Sequence, residues 1–156
     1  MSVIDVIPAT VEHARALAPR MRAADAAEVW ASGRLTPLEA LERSLALSPL
    51  AWAGTVDGEP ACVFGAASTS LLGGDGVPWL LGSDAIERHQ RAFLRRNREY
   101  VRQMQAAFPT LRNMVDARNA TSIRWLRWLG FTIEPAVPFG PFGLPFHPFI
   151  LEAPHA

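Results

Sequence analysis

The sequence predicts a mixed α/β fold, a sheet with helices on its faces. Three observations carry this. Short apolar runs of strand length alternate with longer segments whose apolar residues recur at helical spacing. Asp57-Gly58 stands between two apolar runs, the two-residue signal of a β-hairpin. The stretch DARNATSIRWLRWLGF, residues 116–131, opens near an asparagine and ends on Gly-Phe, as a capped helix with a glycine stop does. The 156 residues hold no internal repeat and no linker long enough to divide them, so one domain spanning 1–156 is expected.

The opening SVIDVIPAT sets Val3 and Ile7 around Asp5 and stops at Pro8, which predicts an N-terminal strand. Thr10 can cap a helix reaching about Arg22, with Ala14, Leu17 and Met21 at helical spacing. A second helix covers Asp25 to Ala31 and ends at Gly33. TPLEALERSLALS carries the strongest start signal: Thr36 as N-cap, Pro37 in the first helical position and Glu39 in the third. Leu38, Leu41, Leu45 and Ala46 or Leu47 make its expected buried face. Residues 50–68 form the hairpin, GGDG at 73–76 a turn, and VPWLLG at 77–82 a short buried strand. A long helix lies between Asp84 and Phe108, ended by Pro109. LRNMVDA at 111–117 is a strand. The helix that follows starts at Asn119, with Ile123, Leu126 and Leu129 as its buried line, Arg124 and Arg127 opposite, and Trp125 and Trp128 flanking. Two strands, around 131–137 and 146–151, close the chain across a Pro/Gly-rich connection, and the prolines argue for edges or bulges.

Net charge is zero, yet all 15 basic residues are arginine. The chain therefore offers no lysine amine as nucleophile or Schiff-base former. Cys62 is the only cysteine, which excludes an internal disulfide and a Cys-based zinc site and points to a cytosolic compartment. No metal site is expected. No apolar run approaches the roughly 20 residues of a membrane span, and the start lacks the pattern of a signal peptide. Arg88, Arg91, Arg95, Arg98 and Arg102 form a stripe along one flank of the long helix. It reads either as a solvated face or as a contact for a polyanion: a cofactor phosphate, nucleic acid or an acidic partner. Zero net charge and the lack of a reading-helix motif argue against a DNA-binding module. The four phenylalanines of VPFGPFGLPFHPF either cover the sheet end or meet a partner or a second copy.

NATSIRWLRWLGF resembles the last conserved motif of the GCN5-related N-acetyltransferase (GNAT) family, with Asn119, Ile123, Gly130 and Phe131 matching in spacing. IDVIPATVEHARALAPRMRAAD looks like that family's first strand and helix. The resemblance implies a mostly antiparallel central sheet with helices on both faces. It also implies acetyl-CoA held between two splayed strands, here 77–82 and 111–116, and an amine as acceptor. By resemblance Leu80, Leu81 and Gly82 supply strand backbone to the cofactor. The diphosphate falls on a loop within 82–91, aided by Arg88 and Arg91, and Asn119 contacts the pantetheine arm or the attacked region. His89, the only histidine near that loop, is the candidate base beside Asn119 as the second catalytic candidate. Two positions depart from the family pattern. The loop has a single glycine, Gly82, with Asp84 beside it, and Leu126 stands where a proton-donating tyrosine is usual.

From about Trp79 to Leu151 the chain is also similar to a phage family related to the small internal virion protein of short-tailed podophages. Ser83-Asp84 and Asn119…Ile123-Arg124…Leu126 carry that likeness. It implies a phage or prophage origin, a place in the host cytoplasm or the virion, and a virion or host protein as partner. It does not imply catalysis. The two functional expectations are thus an acetyl-CoA-dependent N-acetyltransferase or a degenerate relative of one, and a non-catalytic virion or assembly protein using the fold as a scaffold.

Overall fold

The computed structural model describes residues 1–69 and 74–154. Strand β1 (Ile4–Pro8) leads to helices α1 (Val11–Leu17), α2 (Ala23–Gly33) and α3 (Pro37–Leu47). The hairpin β2 (Leu50–Val56) and β3 (Glu59–Ser68) follows, then β4 (Gly76–Gly82), α4 (Asp84–Arg88), α5 (Gln90–Ala107) and β5 (Thr110–Asp116). Helix α6 (Ala120–Trp128) and strands β6 (Thr132–Ile133), β7 (Val137–Phe139) and β8 (Leu144–Glu152) complete the described chain. The sheet runs β1-β2-β3-β4-β5-β8-β6, with β7 also on β8. Every pairing is antiparallel except β4 with β5. This is the mixed, mostly antiparallel sheet expected from the sequence. Of the expected turn at 73–76, Gly73 lies outside the described residues; Gly74 and Asp75 lead into β4.

Alternation along the strands sorts the core into two layers. Cys62, Phe64 and Ala66 of β3 meet Phe93, Met104, Ile123 and Trp125 of α5 and α6 on one face. Ala53, Val63 and Leu81 meet Ala14, Leu17, Val29 and Leu41 of α1 to α3 on the other. Gly54 lets α5 come close: a Cβ there would lie 2.6 Å from the Phe93 ring.

Several boundaries differ from expectation, each for a local reason. Helix α1 stops at Leu17 and becomes a 3-10 turn over Ala18–Arg20, because Pro19 cannot donate into a continuing α-helix. Strand β1 turns Ile4 and Val6 toward the core and leaves Val3 and Ile7 outside, the opposite parity from that read around Asp5. The capping box of α3 is present at Thr36 and Glu39, but Ala40 and Leu41 are buried while Leu38 and Leu47 are exposed. The long helix is broken at His89, whose ψ of 24° interrupts the α geometry. The segment expected as one strand at 131–137 is two short ones, with Pro135 between them. Pro148 sits inside β8 rather than at an edge or bulge. Its carbonyl accepts the Glu134 N–H, so its proton-less nitrogen faces the short strands and not β5. In α6, Trp125 is buried with Ile123, while Leu126 and Leu129 are half-buried against the same layer.

Candidate functional site

Among the described residues β4 and β5 are the one parallel pair, in register only at Gly76 and Leu111. Beyond that point they diverge, and each exposes backbone groups that a neighbouring strand would otherwise bind. The ladder fixes which groups these are. Ser83 donates its N–H to the Ala61 carbonyl, and Cys62 lies opposite Gly82, so the odd-numbered residues of β4 face β3. Pro78, Leu80 and Gly82 therefore face the split. On β5, Ala117 donates to Pro145 of the β8 segment, so Met114 and Asp116 face the split from the other side.

Side chains satisfy most of these groups. The Asn113 amide donates to the Pro78 carbonyl at 2.8 Å, and its oxygen accepts the Met114 N–H at 2.7 Å. Gly82 donates to Asp25 Oδ2 at 2.9 Å, and its carbonyl accepts the Arg22 N–H at 2.7 Å. Asp116 donates its N–H to Glu28 Oε1 at 2.8 Å. Leu80 is left as the residue of β4 whose N–H and C=O both face the open split, with Pro78 and Gly82 already engaged on either side.

Helix α2 thus braces both strands through one polar network. Arg22, Asp25, Asp116 and Asn119 are almost fully buried. Arg22 donates to Asp25 and to Glu87, both at 2.8 Å, and its guanidinium lies over the Trp125 ring. Asn119 caps α6 by accepting the Ser122 N–H and donates to Asp25 at 3.1 Å and Glu28 at 3.5 Å. Burial pushes the Asp25 carboxyl up, against the pull of Arg22 and the Gly82 amide. Burial also raises Glu28, to about 8, opposed by the Asp116 N–H and reinforced by the Asp25 charge. Asp116 is also raised by burial, but the Arg118 fork outweighs this and holds it below the usual carboxylate range.

A cavity of about 440 Å³ passes through the split. On the α5/α6 side it is lined by Phe64, Leu80, Phe93, Val101, Met104 and Phe149, among others, with no charged residue. Asn97 lines it too; it is buried, and its Oδ1 accepts no hydrogen bond. On the α2/α3 side the lining includes Val29, Trp79, Met114, Arg43 and Glu28. Glu28 is the one carboxylate among the lining residues, and it reaches the cavity from α2.

The sequence-expected residues fall as follows. The split between 77–82 and 111–116 is present, and Leu80 faces it. Leu81 turns its backbone into the β3 ladder and its side chain into the α1–α3 layer, and the Gly82 amide is taken by Asp25, so neither has backbone free for a cofactor. Arg88 and Arg91 are exposed at the α4/α5 junction, where α5 begins without a side-chain cap. His89 forms that junction and is not among the cavity residues. Asn119 lies in the buried brace and spends its side chain on α6, Asp25 and Glu28, which leaves no free group for a pantetheine arm. Cys62 is a core residue whose thiol burial pushes up to about 12. Asp25, Glu28 and Asn113 are not among the sequence-expected site residues. The signal for two of them is the spacing Arg22, Asp25, Glu28, a polar ridge at every third residue of an otherwise apolar helix.

No protein-family model matches the chain, and no curated protein sequence matches it. Solved structures do. The ribosomal-protein-S18-alanine N-acetyltransferase of Escherichia coli superposes with a TM-score of 0.64 at 19% identity, over 100% of this chain and 96% of that one. An acetyltransferase of the GNAT family from Streptococcus pneumoniae gives 0.66 at 13% identity, over 97% and 100%. YncA of Salmonella typhimurium, solved with its cofactor acetyl-CoA, gives 0.67 at 16% identity, over 99% and 96%. With the split parallel pair and the helices on both sheet faces, these place the architecture: the chain has the fold of the GCN5-related N-acetyltransferases.

Proposed function

We propose that this is a phage- or prophage-encoded acyl-CoA-dependent N-acyltransferase, with acetyl-CoA as the simplest donor and an amine as acceptor. The observation that carries the reading is Leu80: one cleft-facing N–H and C=O on the wall of an apolar passage that crosses the sheet. That wall fits an extended pantetheine arm, which needs backbone partners and apolar surroundings. The amides of 82, 83, 85 and 86 do not fit the diphosphate, because Asp25, Ala61 and Ser83 already bind them. The residues that fit it are Arg88, Arg91 and the uncapped start of α5.

When bound, an acyl-CoA supplies the thioester, whose C–S bond breaks as the C–N bond to the amine forms, giving an amide and a thiol. Leu80 N–H donates to the thioester oxygen, where negative charge grows. Glu28 accepts the amine proton; with its carboxyl near 8 it is a stronger base than an ordinary glutamate. Leu126 has no proton to give a departing thiolate, so solvent would have to supply it.

Calorimetric titration with acetyl-CoA at low salt tests the reading. Micromolar binding is expected, weakened at least tenfold in an Arg88→Glu/Arg91→Glu double variant. No heat at high micromolar cofactor overturns it. In turnover assays kcat/KM rises with pH toward about 8 in the wild type, and Glu28→Gln removes that rise.

A second reading is favoured by Leu126 and by the aromatic cluster beside α2: a non-catalytic virion or assembly protein. Trp30 stacks on Phe142 at 6.4 Å, with Arg34 over the same ring, and both aromatics stay about half exposed. Such a surface suits a virion or host protein, or a second copy. Failure of the titration together with a stable complex lost in Trp30→Ser/Phe142→Ser would favour this reading.

A further inference from the structure

We propose that the donor carries a medium-length aliphatic acyl chain, housed in the chamber beneath α5 and α6. The proposal rests on the acyl-CoA reading above and specifies its substrate. The chamber continues past Leu80 to Met104 and Phe149, close to where β4 and β5 rejoin at Gly76 and Leu111. An acetyl group would end at Leu80 and leave that length unused. The whole passage, both sides of the split and the route of the pantetheine arm included, has about 440 Å³, whereas an apolar cavity of ~150 Å³ already holds benzene. Its walls on this side are mainly aromatic and aliphatic, Phe64, Phe93, Val101, Met104, Phe131 and Phe149, with Asn97, Gln90 and Ser122 as neutral polar residues among them. No charge lines it to bind a polar acyl tail, and burying aliphatic carbon there is favourable by roughly fourfold per methylene at best.

The two sides of the sheet also divide the labour in a way that suits a long chain. Glu28 and Arg43 line the α2/α3 side, so the amine approaches from there. A chain directed to the opposite side leaves that approach clear. The thioester carbon sits between them at Leu80, and the transfer balances as amine plus thioester giving amide plus thiol.

Calorimetry with CoA, acetyl-CoA and octanoyl-CoA tests this. Octanoyl-CoA is expected to bind at least tenfold more tightly than acetyl-CoA. Filling the chamber with Val101→Phe, or separately Met104→Trp, should bring that ratio near one while CoA itself changes less than twofold; circular dichroism melting confirms that each variant is folded. Equal affinity for the two thioesters in the wild type overturns the proposal and leaves the acyl-CoA reading standing. So does a preference that survives both fillings. If no CoA compound binds, the acyl-CoA reading falls and the proposal with it.

Discussion

Glu28 ties α2 to β5 and α6, and its only mark in the sequence is the three-residue spacing from Arg22 and Asp25. Its partners, Asp116 and Asn119, lie 88 and 91 positions away, so only the folded chain brings them together. His89 and Asn119 were legible as polar residues near recognisable motifs, but one forms a helix junction and the other a buried cap. The raised Glu28 carboxyl has a measurable consequence. The folded chain keeps its proton up to about 8, whereas an ordinary glutamate loses it near 4.5. Between those values the unfolded state binds fewer protons, so this group's stabilisation is full below 4.5 and lost as pH rises through 8. Urea unfolding from pH 5 to 8 should show wild-type stability falling relative to Glu28→Gln, with the gap closing below pH 4.5. Asn97 supplies an independent test. Its buried oxygen lacks a partner, so Asn97→Leu is expected to raise stability by about 1 kcal/mol in the same measurement, since an unsatisfied buried acceptor costs of that order.

At the scale of elements, signals confined to a few residues survived folding. The Thr36 capping box, the Asp57-Gly58 hairpin and the Gly130 stop with φ of +101° all stand where the sequence puts them. Features that depend on three-dimensional packing did not. The parity of β1 follows from its register on β2, and the break at His89 occurs without glycine or proline. The split itself has no local sequence mark beyond Pro78; it follows from what α2 and Asn113 do across it. The closeness of α5 to the sheet depends on Gly54. Gly54→Ala should cost about 1–3 kcal/mol, because the new methyl meets both the Phe93 ring and the Cys62 sulfur. Chemical denaturation with an unchanged m-value would confirm a packing cost; no change in midpoint would show that α5 shifts freely.

For the whole molecule, fold class and element order were readable because periodicity and turn chemistry are written locally, as was the arginine stripe of one helix, while the joining of that stripe to α6 emerges only on folding. Arg91, Arg95, Arg96, Arg98 and Arg102 on α5 and Arg124 and Arg127 on α6 stand against one acid, Glu99, in a chain of zero net charge. Arg98 lies 3.9 Å over the Trp128 ring, which joins the two helices into one basic face. The protein should therefore bind a cation exchanger at pH 7 in low salt despite its neutrality and elute as screening sets in at about 0.1–0.3 M salt. An Arg95→Glu/Arg98→Glu variant should flow through; equal retention would place the attraction elsewhere. The brace formed by α2 bears on association as well. A sheet split down its middle has two internal edges, and bare strand edges recruit strands from other molecules. Asp25, Glu28 and Asn113 occupy the Gly82, Met114 and Asp116 amides and the Pro78 carbonyl, leaving Leu80 alone on β4 to pair with such a strand, and two of the three set carboxylates in its path. An edge so occupied offers another polypeptide little to pair with, so the gap in the sheet is a poor template for strand addition by a second copy.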